Sequence, residues 1–205
     1  GILAYGTTTV TVIDASGNPQ TIGFTRPDPV PIYVIATLES LPDYPTGANL
    51  AGTLAITSGT KNVVGTGTSF LSKLSVGEAF FIDDGVNSEF MTVTSIADDT
   101  HLTVYANATH SYTLGVATPQ AGDAVLQQQI ADYGDKNYSV GDDVIAWKLN
   151  LAAAGIAGID NLSFTLGTAP NPAGTIDIPI AATEISAWDT GSDMSGNPYI
   201  LIIHV

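Results

Sequence analysis

The sequence has 205 residues, with 20 acidic side chains against 5 basic ones, no cysteine, and a formal net charge of −15. Such a surface repels phosphates, which argues against binding to nucleic acid or to anionic membranes. Disulfides, thiolate metal sites and a cysteine nucleophile are excluded. No apolar run reaches the roughly 20 residues that span a bilayer, so we expect no membrane insertion. The first residues lack the basic segment of a signal peptide, and we expect a piece of a longer chain.

The first 40 residues predict a hairpin and then a buried strand. Residues 7–13 alternate between polar and apolar side chains, residues 14–19 form a turn cluster, and residues 20–25 resume the strand pattern. Three prolines at alternate positions in 27–31 predict an extended path. The apolar run 32–38 that follows is too short for a typical helix and predicts a buried strand.

The stretch from about 52 to 119 has a different sequence pattern, with short β segments between turns rich in Gly, Asp and Asn. A single helical turn fits at Ser69–Leu74. Six strands in so short a stretch predict a small barrel or sandwich. The predicted strands are Thr53–Thr57, Asn62–Val64, Glu78–Ile82, Phe90–Ile96, His101–Tyr105 and Tyr112–Val116.

Helical spacing returns at residue 121. One helix is predicted over Ala121–Tyr133 with Gly134 as its end, and a second over Asp143–Ala154 with Asp142 as its N-cap. Strands are predicted at Leu162–Leu166, Thr175–Ile180 and Tyr199–Val205, whereas Ile185–Trp188 is ambiguous.

These changes between strand patterns and helical spacing predict a nested α+β organisation. Residues 1–46 and 120–205 would form one discontinuous domain, an antiparallel or mixed sheet with two helices on one face. Residues 47–119 would be an inserted all-β barrel or sandwich. Two consecutive domains are the alternative, but 46 residues are too few to bury a core alone.

The sequence predicts no enzyme, no cofactor and no metal site. The Gly-rich segment 64–69 lacks the Lys-Ser/Thr ending of a phosphate loop and predicts a strand turn. Asp83, Asp84, Asn87 and Glu89 could offer oxygens to calcium, yet their spacing departs from the EF-hand loop and a hairpin turn explains them. The histidines are isolated, and no Gly-x-Ser-x-Gly motif is present.

A candidate ligand or partner surface lies near the end of the β block, where aromatic and polar residues cluster. The predicted contacts to a glycan or a partner are Tyr105, Asn107, His110 and Tyr112. Packing in a core or along a hairpin is the alternative reading of these aromatic rings.

Two segments resemble the C-terminal part of baseplate J-like proteins of contractile phage tails. The first is "FTRP" followed by "PIYV", with Phe24, Arg26 and Pro27 as the pattern residues. The second is "GDDV", where Gly141 and Asp142 lead into the second predicted helix. The larger N-terminal portion of that family is missing here. The β block is extra, and its "GTGTSF" resembles a small module that recurs in phage tail and virion proteins.

The resemblance implies a structural wedge component of a tail baseplate, located in the virion and assembled in the host cytoplasm. Its partners would be other baseplate or tail proteins, contacted through edge strands or through Tyr199–Val205. Self-association into a homo-oligomer is left open. The alternative is that the inserted module is a host-surface or carbohydrate-binding domain, and a hydrolase is a third, weaker reading.

Overall fold

The computed structural model describes residues 8–174 and 177–205. Within these ranges the chain is a mixed α+β protein, mostly sheet, with thirteen strands and three helical segments. The helical segments are α1 (Phe70–Lys73), α2 (Ala121–Asn137) and a 3-10 helix (Ala146–Ala153). The strands are β1 (Thr8–Ile13), β2 (Pro19–Phe24), β3 (Asp28–Pro31), β4 (Tyr33–Ser40), β5 (Thr53–Ile56), β6 (Asn62–Thr66), β7 (Ala79–Asp83), β8 (Ser88–Asp98), β9 (His101–Val104), β10 (Tyr112–Pro119), β11 (Ile159–Gly167), β12 (Glu184–Ala187) and β13 (Ile200–His204).

The predicted N-terminal hairpin is confirmed over its described residues, which begin at Thr8. Strands β1 and β2 pair antiparallel from Thr8 opposite Phe24 to Ile13 opposite Pro19, and they form a two-stranded sheet of their own. The Asp14 carboxylate shapes the turn by accepting hydrogen bonds from the backbone N–H groups of Ser16 and Asn18, each at 2.9 Å.

The β block is a closed six-stranded antiparallel barrel in the order β10-β5-β6-β9-β8-β7. Strand β10 closes it by pairing with β5 near its start and with β7 near its end. Gly115 lies at the changeover, where a Cβ atom would stand 2.7 Å from the Ile82 side chain. The helical turn predicted near residue 70 is present as α1, and it places Phe70 in the barrel core with no exposed area.

Outside the barrel, β4 is the centre of a three-stranded mixed sheet, antiparallel to β11 and parallel to β13. Its apolar side chains share a buried cluster with Leu126 and Ile130 of α2 and with Leu149 of the 3-10 helix. The barrel residues form a second buried cluster that runs from Leu50 to Ala117. The ambiguous segment at 185–188 contributes β12, which pairs in parallel with β3.

Helix α2 continues past the predicted stop at Gly134 and ends at Asn137. The glycine serves packing rather than termination. A Cβ atom at Gly134 would overlap the Trp188 indole, so only glycine lets the ring lie against the helix. A glycine within a helix is read from sequence as a stop because the residue that packs on it is far away in the chain.

The second predicted helix was wrong in type and in its cap. It is a 3-10 helix that begins at Ala146, and Asp142 is not its N-cap. The Asp142 carboxylate instead accepts the Ser139 N–H at 2.8 Å, while Asp143 accepts the Ile180 N–H at 2.9 Å. Both side chains therefore hold loops, and the helix starts later and winds more tightly.

The strand predicted at Thr175–Ile180 is also absent from residues 177–180, and residues 175–176 lie outside the described ranges. Ile178 makes an isolated bridge with Val144. The alternating pattern of the segment reflects the burial of Ile178 and Ile180 in the cluster beside the sheet, and not a strand.

The barrel covers the outer edge of the three-stranded sheet. The Ile202 N–H of β13 donates to the Gly77 carbonyl at 2.9 Å, and the Thr92 hydroxyl donates to the Ile202 carbonyl at 2.7 Å. Gln127 of α2 donates to the Ile200 carbonyl at 2.9 Å. The expectation that Tyr199–Val205 docks on neighbouring proteins is corrected, because Ile200, Leu201 and Ile202 are buried within this chain.

Candidate functional site

A buried polar cluster joins the barrel to the rest of the chain. Asp123, in the first turn of α2, has no exposed area. Its carboxylate accepts the Tyr44 hydroxyl at 2.7 Å and the Ala79 backbone N–H of β7 at 2.7 Å, and it lies 2.9 Å from His204 Nε2. A buried carboxylate needs several such partners to offset its lost hydration. In the sequence Asp123 is the third residue of the helix predicted over Ala121–Tyr133, and no spacing links it to Tyr44, Ala79 or His204.

His204 connects this cluster to Ser40. Its Nδ1 lies 3.3 Å from the Ser40 hydroxyl, Phe90 stacks on its ring at a centroid distance of 4.8 Å, and Tyr44 packs edge-on at 5.3 Å. The tautomer with a proton on Nε2 donates to Asp123 and accepts from Ser40, which satisfies both ring nitrogens.

The contacts that link Ser40 to His204 and His204 to Asp123 are those of a hydrolase triad. The burial of the imidazole favours a structural role instead. A catalytic imidazole must exchange a proton with a bound substrate. The His204 side chain has 0% exposed area, so a substrate has no access to the imidazole. The cluster is therefore suited to fixing the barrel against the sheet.

Two neighbouring groups show how the burial acts on titration. Burial, and then the charge of Asp123, raises the pKa of Tyr44 far above its ordinary value. Burial likewise raises the pKa of Glu78, with a smaller contribution from Asp123, while the Ser75 N–H that donates to it acts in the opposite direction.

The structure separates the residues of the predicted aromatic cluster. Tyr112, the first residue of β10, points into the barrel core and is 2% exposed, so it cannot contact a ligand. His110 is exposed, and its backbone N–H donates to Glu89 at 3.1 Å. Tyr105 and Asn107 do come together, on the wall of a recess of about 180 Å³. Period-two alternation from the inward residues Leu102 and Val104 could have placed Tyr105 outside the core.

The residues of the baseplate-like pattern lie in two places linked by β12. Phe24 ends β2, and the exposed Arg26 and the half-buried Pro27 follow it. Gly141 adopts a φ of 78° and donates its N–H to the carbonyl of Glu184, which pairs with Asp28 just after Pro27. Asp142 is the next residue, in the loop already described.

The hairpin presents an apolar surface that we call the hairpin face, formed by Val10, Val12, Ile22 and Phe24. Directly opposed residues of an antiparallel pair share one face, and the register places Val10 opposite Ile22. Their exposed fractions are 46%, 45%, 49% and 39% respectively. A two-stranded hairpin is at best marginally stable alone in water. The hairpin face is therefore a candidate contact surface.

Within residues 8–174 and 177–205, no group of three or more His, Asp or Glu side chains is placed to hold a metal ion. In the same residues, no helix has both the length and the apolar character needed to cross a membrane. Comparisons with known proteins found no matching family model, no matching curated protein and no matching solved structure.

Proposed function

We propose that the chain is a structural, non-enzymatic subunit of a contractile-tail baseplate, acting through protein–protein contacts. The observation that carries the proposal is the hairpin face, an exposed apolar surface on a small sheet of its own. The resemblance of Phe24–Pro27 and Gly141–Val144 to baseplate J-like proteins supports the same assignment. The subunit would be assembled in the host cytoplasm and reside in the virion tail.

The chemistry of the hairpin face favours a protein partner over a membrane. The four side chains that form it are uncharged, and exposed apolar patches of this kind mark interaction sites. The net charge of −15 opposes approach to an anionic lipid surface. We propose a neighbouring tail subunit that offers an uncharged, apolar surface to this hairpin.

The proposed domain division places residues 1–46 and 120–205 in one α+β domain, with 47–119 as the insertion. The separation of buried side chains into two clusters supports this division. We also propose that α2 and the 3-10 helix pack on one face of the three-stranded sheet, which agrees with the burial of Leu126 and Leu149 in one cluster.

Cryo-electron microscopy of tail particles that carry this chain tests the proposal. We expect a repeated ring component whose hairpin face is covered by a neighbouring subunit. Replacing Val10 and Ile22 together by Thr should prevent incorporation, because Thr keeps the β-branched shape but adds a hydroxyl to the contact. The matched control replaces Thr11 and Thr21, an opposed pair on the other face of the hairpin, by Ser.

Either of two results would overturn the proposal. One is a complete particle that lacks the chain, and the other is a particle in which the hairpin face remains in solvent. Light scattering of the purified chain addresses the partner. A concentration-dependent dimer that the Val10/Ile22 double variant abolishes would identify the neighbour as a second copy and contradict a different tail subunit.

A further inference from the structure

A groove of about 660 Å³ lies between the barrel and two loops from the C-terminal part of the chain. The barrel contributes Lys61, Thr103 and Tyr105 to its walls, and the loops contribute Asn171, Ser195 and Asn197. It is separate from the buried Asp123 cluster and from the hairpin face. Its walls carry hydroxyl, amide and aromatic groups, which are the groups that recognise sugars by hydrogen bonding and stacking.

The charge lining the groove differs from that of the chain as a whole. Twenty of the 205 residues are acidic, yet the residues that line the groove include none, and they include Lys61, one of only five basic residues. Lys61 is exposed and forms no ion pair with any residue in 8–174 or 177–205. A cation that forms no ion pair among these residues, in a groove lined by no carboxylate, favours an anionic group on the ligand.

Tyr105 supplies an aromatic face next to this cation. The Lys61 Nζ lies 6.0 Å from the centroid of the Tyr105 ring, which is the outer limit of a cation–π contact. Such a contact is weak at an exposed site, so it does not hold the ammonium group in place. The half-buried ring and the ammonium group are thus close enough for one sugar residue to engage both.

The loop that contributes Ser195 and Asn197 to the groove is held by hydrogen bonds within the chain. The Asp193 carboxylate accepts hydrogen bonds from the backbone N–H groups of Ser195 and Asn197, at 2.8 and 2.9 Å, and from the Tyr33 hydroxyl at 2.8 Å. Hydrogen bonds from Asn197, with smaller contributions from Tyr33 and Ser195, lower the pKa of Asp193 to about 2. Asn171 has a φ of 55°, the sole positive value among the described non-glycine residues. The loop of Ser195 and Asn197, held by these hydrogen bonds, loses little entropy when a ligand binds.

We propose that this groove binds a saccharide that carries a carboxylate. The apolar face of the sugar ring stacks on Tyr105, the carboxylate pairs with Lys61, and the hydroxyls exchange hydrogen bonds with Thr103, Asn171 and Asn197. The site differs from the predicted Tyr105–Tyr112 cluster, since it keeps Tyr105 alone and adds residues distant in sequence. It does not rest on the baseplate proposal, because it requires only the purified chain.

A glycan array probed with the intact chain tests the assignment. The array contains oligosaccharides ending in uronic or sialic acid beside their neutral parent sugars, and titration calorimetry follows on the best acidic probe. We expect binding of acidic probes that weakens at raised salt. Tyr105→Ala should weaken binding about tenfold, whereas Tyr105→Phe should retain it. Lys61→Gln should remove the preference for acidic probes, and Lys148→Gln, which leaves the groove unchanged, should not.

Circular dichroism establishes that each variant is folded, and Lys61→Gln, at an exposed position, still tests the site if Tyr105→Ala does not fold. Three results would overturn the proposal. They are no binding of any probe at millimolar concentration, equal binding of acidic and neutral probes, and acidic-probe binding that survives both Tyr105→Ala and Lys61→Gln.

Discussion

The barrel and the N-terminal hairpin are built from the same kind of sequence but have opposite surroundings. Both consist of short strands with one apolar face, and each contains a phenylalanine on that face. Phe80 in the barrel has no exposed area, whereas Phe24 in the hairpin is 39% exposed. Alternation therefore reports that a segment is a strand with two unlike faces. It does not report whether this chain or another molecule covers the apolar face.

The two regions also differ in how their strand edges are treated. Closure leaves the barrel without an edge, and the barrel in turn covers β13 through Gly77 and Thr92. The hairpin sheet has only two strands, so each strand has one edge unpaired within the sheet. Uncovered edges and apolar faces invite pairing with other chains. This contrast underlies the assignment of the hairpin, rather than β13, to partner binding.

The largest expected effect contrasts the two phenylalanines directly. Phe80→Ala should reduce the free energy of unfolding by about 4 kcal/mol, because it opens a cavity in a closed core. Phe24→Ala should cost about 1 kcal/mol or less, since the side chain is partly in solvent and loses only cross-strand contacts within the hairpin. Chemical denaturation of the isolated chain measures both. Equal losses would mean that the hairpin face is packed within this chain.

The next effect concerns the cluster that joins the barrel to the sheet. Asp123→Ala should cost about 3 kcal/mol, because the Tyr44 hydroxyl, the Ala79 N–H and His204 would be buried without their acceptor. Thermal and chemical unfolding measure the loss. Asp135→Ala, on the exposed side of the same helix, is the control and should leave the stability nearly unchanged. A similar stability for both variants would contradict the role given to the cluster.

A smaller effect on stability tests the contact between the barrel and β13 at Gly77. Gly77 and Gly85 have nearly the same backbone angle, with φ of 88° and 84°. A Cβ atom at Gly77 would overlap the Ile200 carbonyl, whereas one at Gly85 would have no atom within 4 Å. Gly77→Ala should therefore be less stable than Gly85→Ala by about 2 kcal/mol, since both share the conformational cost. Equal melting temperatures would show that the barrel can move away from β13 freely.

The smallest effect is a pH dependence at the same junction. Burial raises the pKa of Glu78 in the folded chain, so the folded state binds its proton more tightly than the unfolded state. The stability of the natural chain relative to Glu78→Gln should be constant below the unfolded Glu pKa, near 4. It should then fall as the pH rises through the folded pKa. Melting curves of both proteins across pH measure this, and a difference that grows in favour of Glu78 would reverse the sign.

The sequence predicted the parts of the fold that depend on neighbouring residues. The Asp14–Pro19 turn cluster located the hairpin, and the closely spaced turns of the β block located the barrel strands. What it missed depends on distant contacts. The Trp188 ring packs against Gly134, and the Asp142 carboxylate accepts a hydrogen bond from Ser139 instead of capping the helix. The cluster of Ser40, Asp123 and His204 could not be found, because no spacing in the chain links its members.

The candidate surfaces show the same limit. Tyr105 was identified from its aromatic and polar neighbours, but its groove partners Asn171 and Asn197 come from loops that the topology brings near. Tyr112 was grouped with Tyr105 by proximity in sequence, although the alternation of β10 turns it into the core. The hairpin face was predicted as two strands without any indication that it would remain uncovered.

Hydrogen exchange tests the central claim most directly, by comparing the backbone amides of residues 8–24 in the isolated chain and in the assembled particle. We predict rapid exchange of the hairpin amides in the isolated chain and strong protection in the particle, while the barrel amides are protected in both. Hairpin amides that exchange at the same rate in both states would contradict the claim that the hairpin face binds a neighbouring subunit.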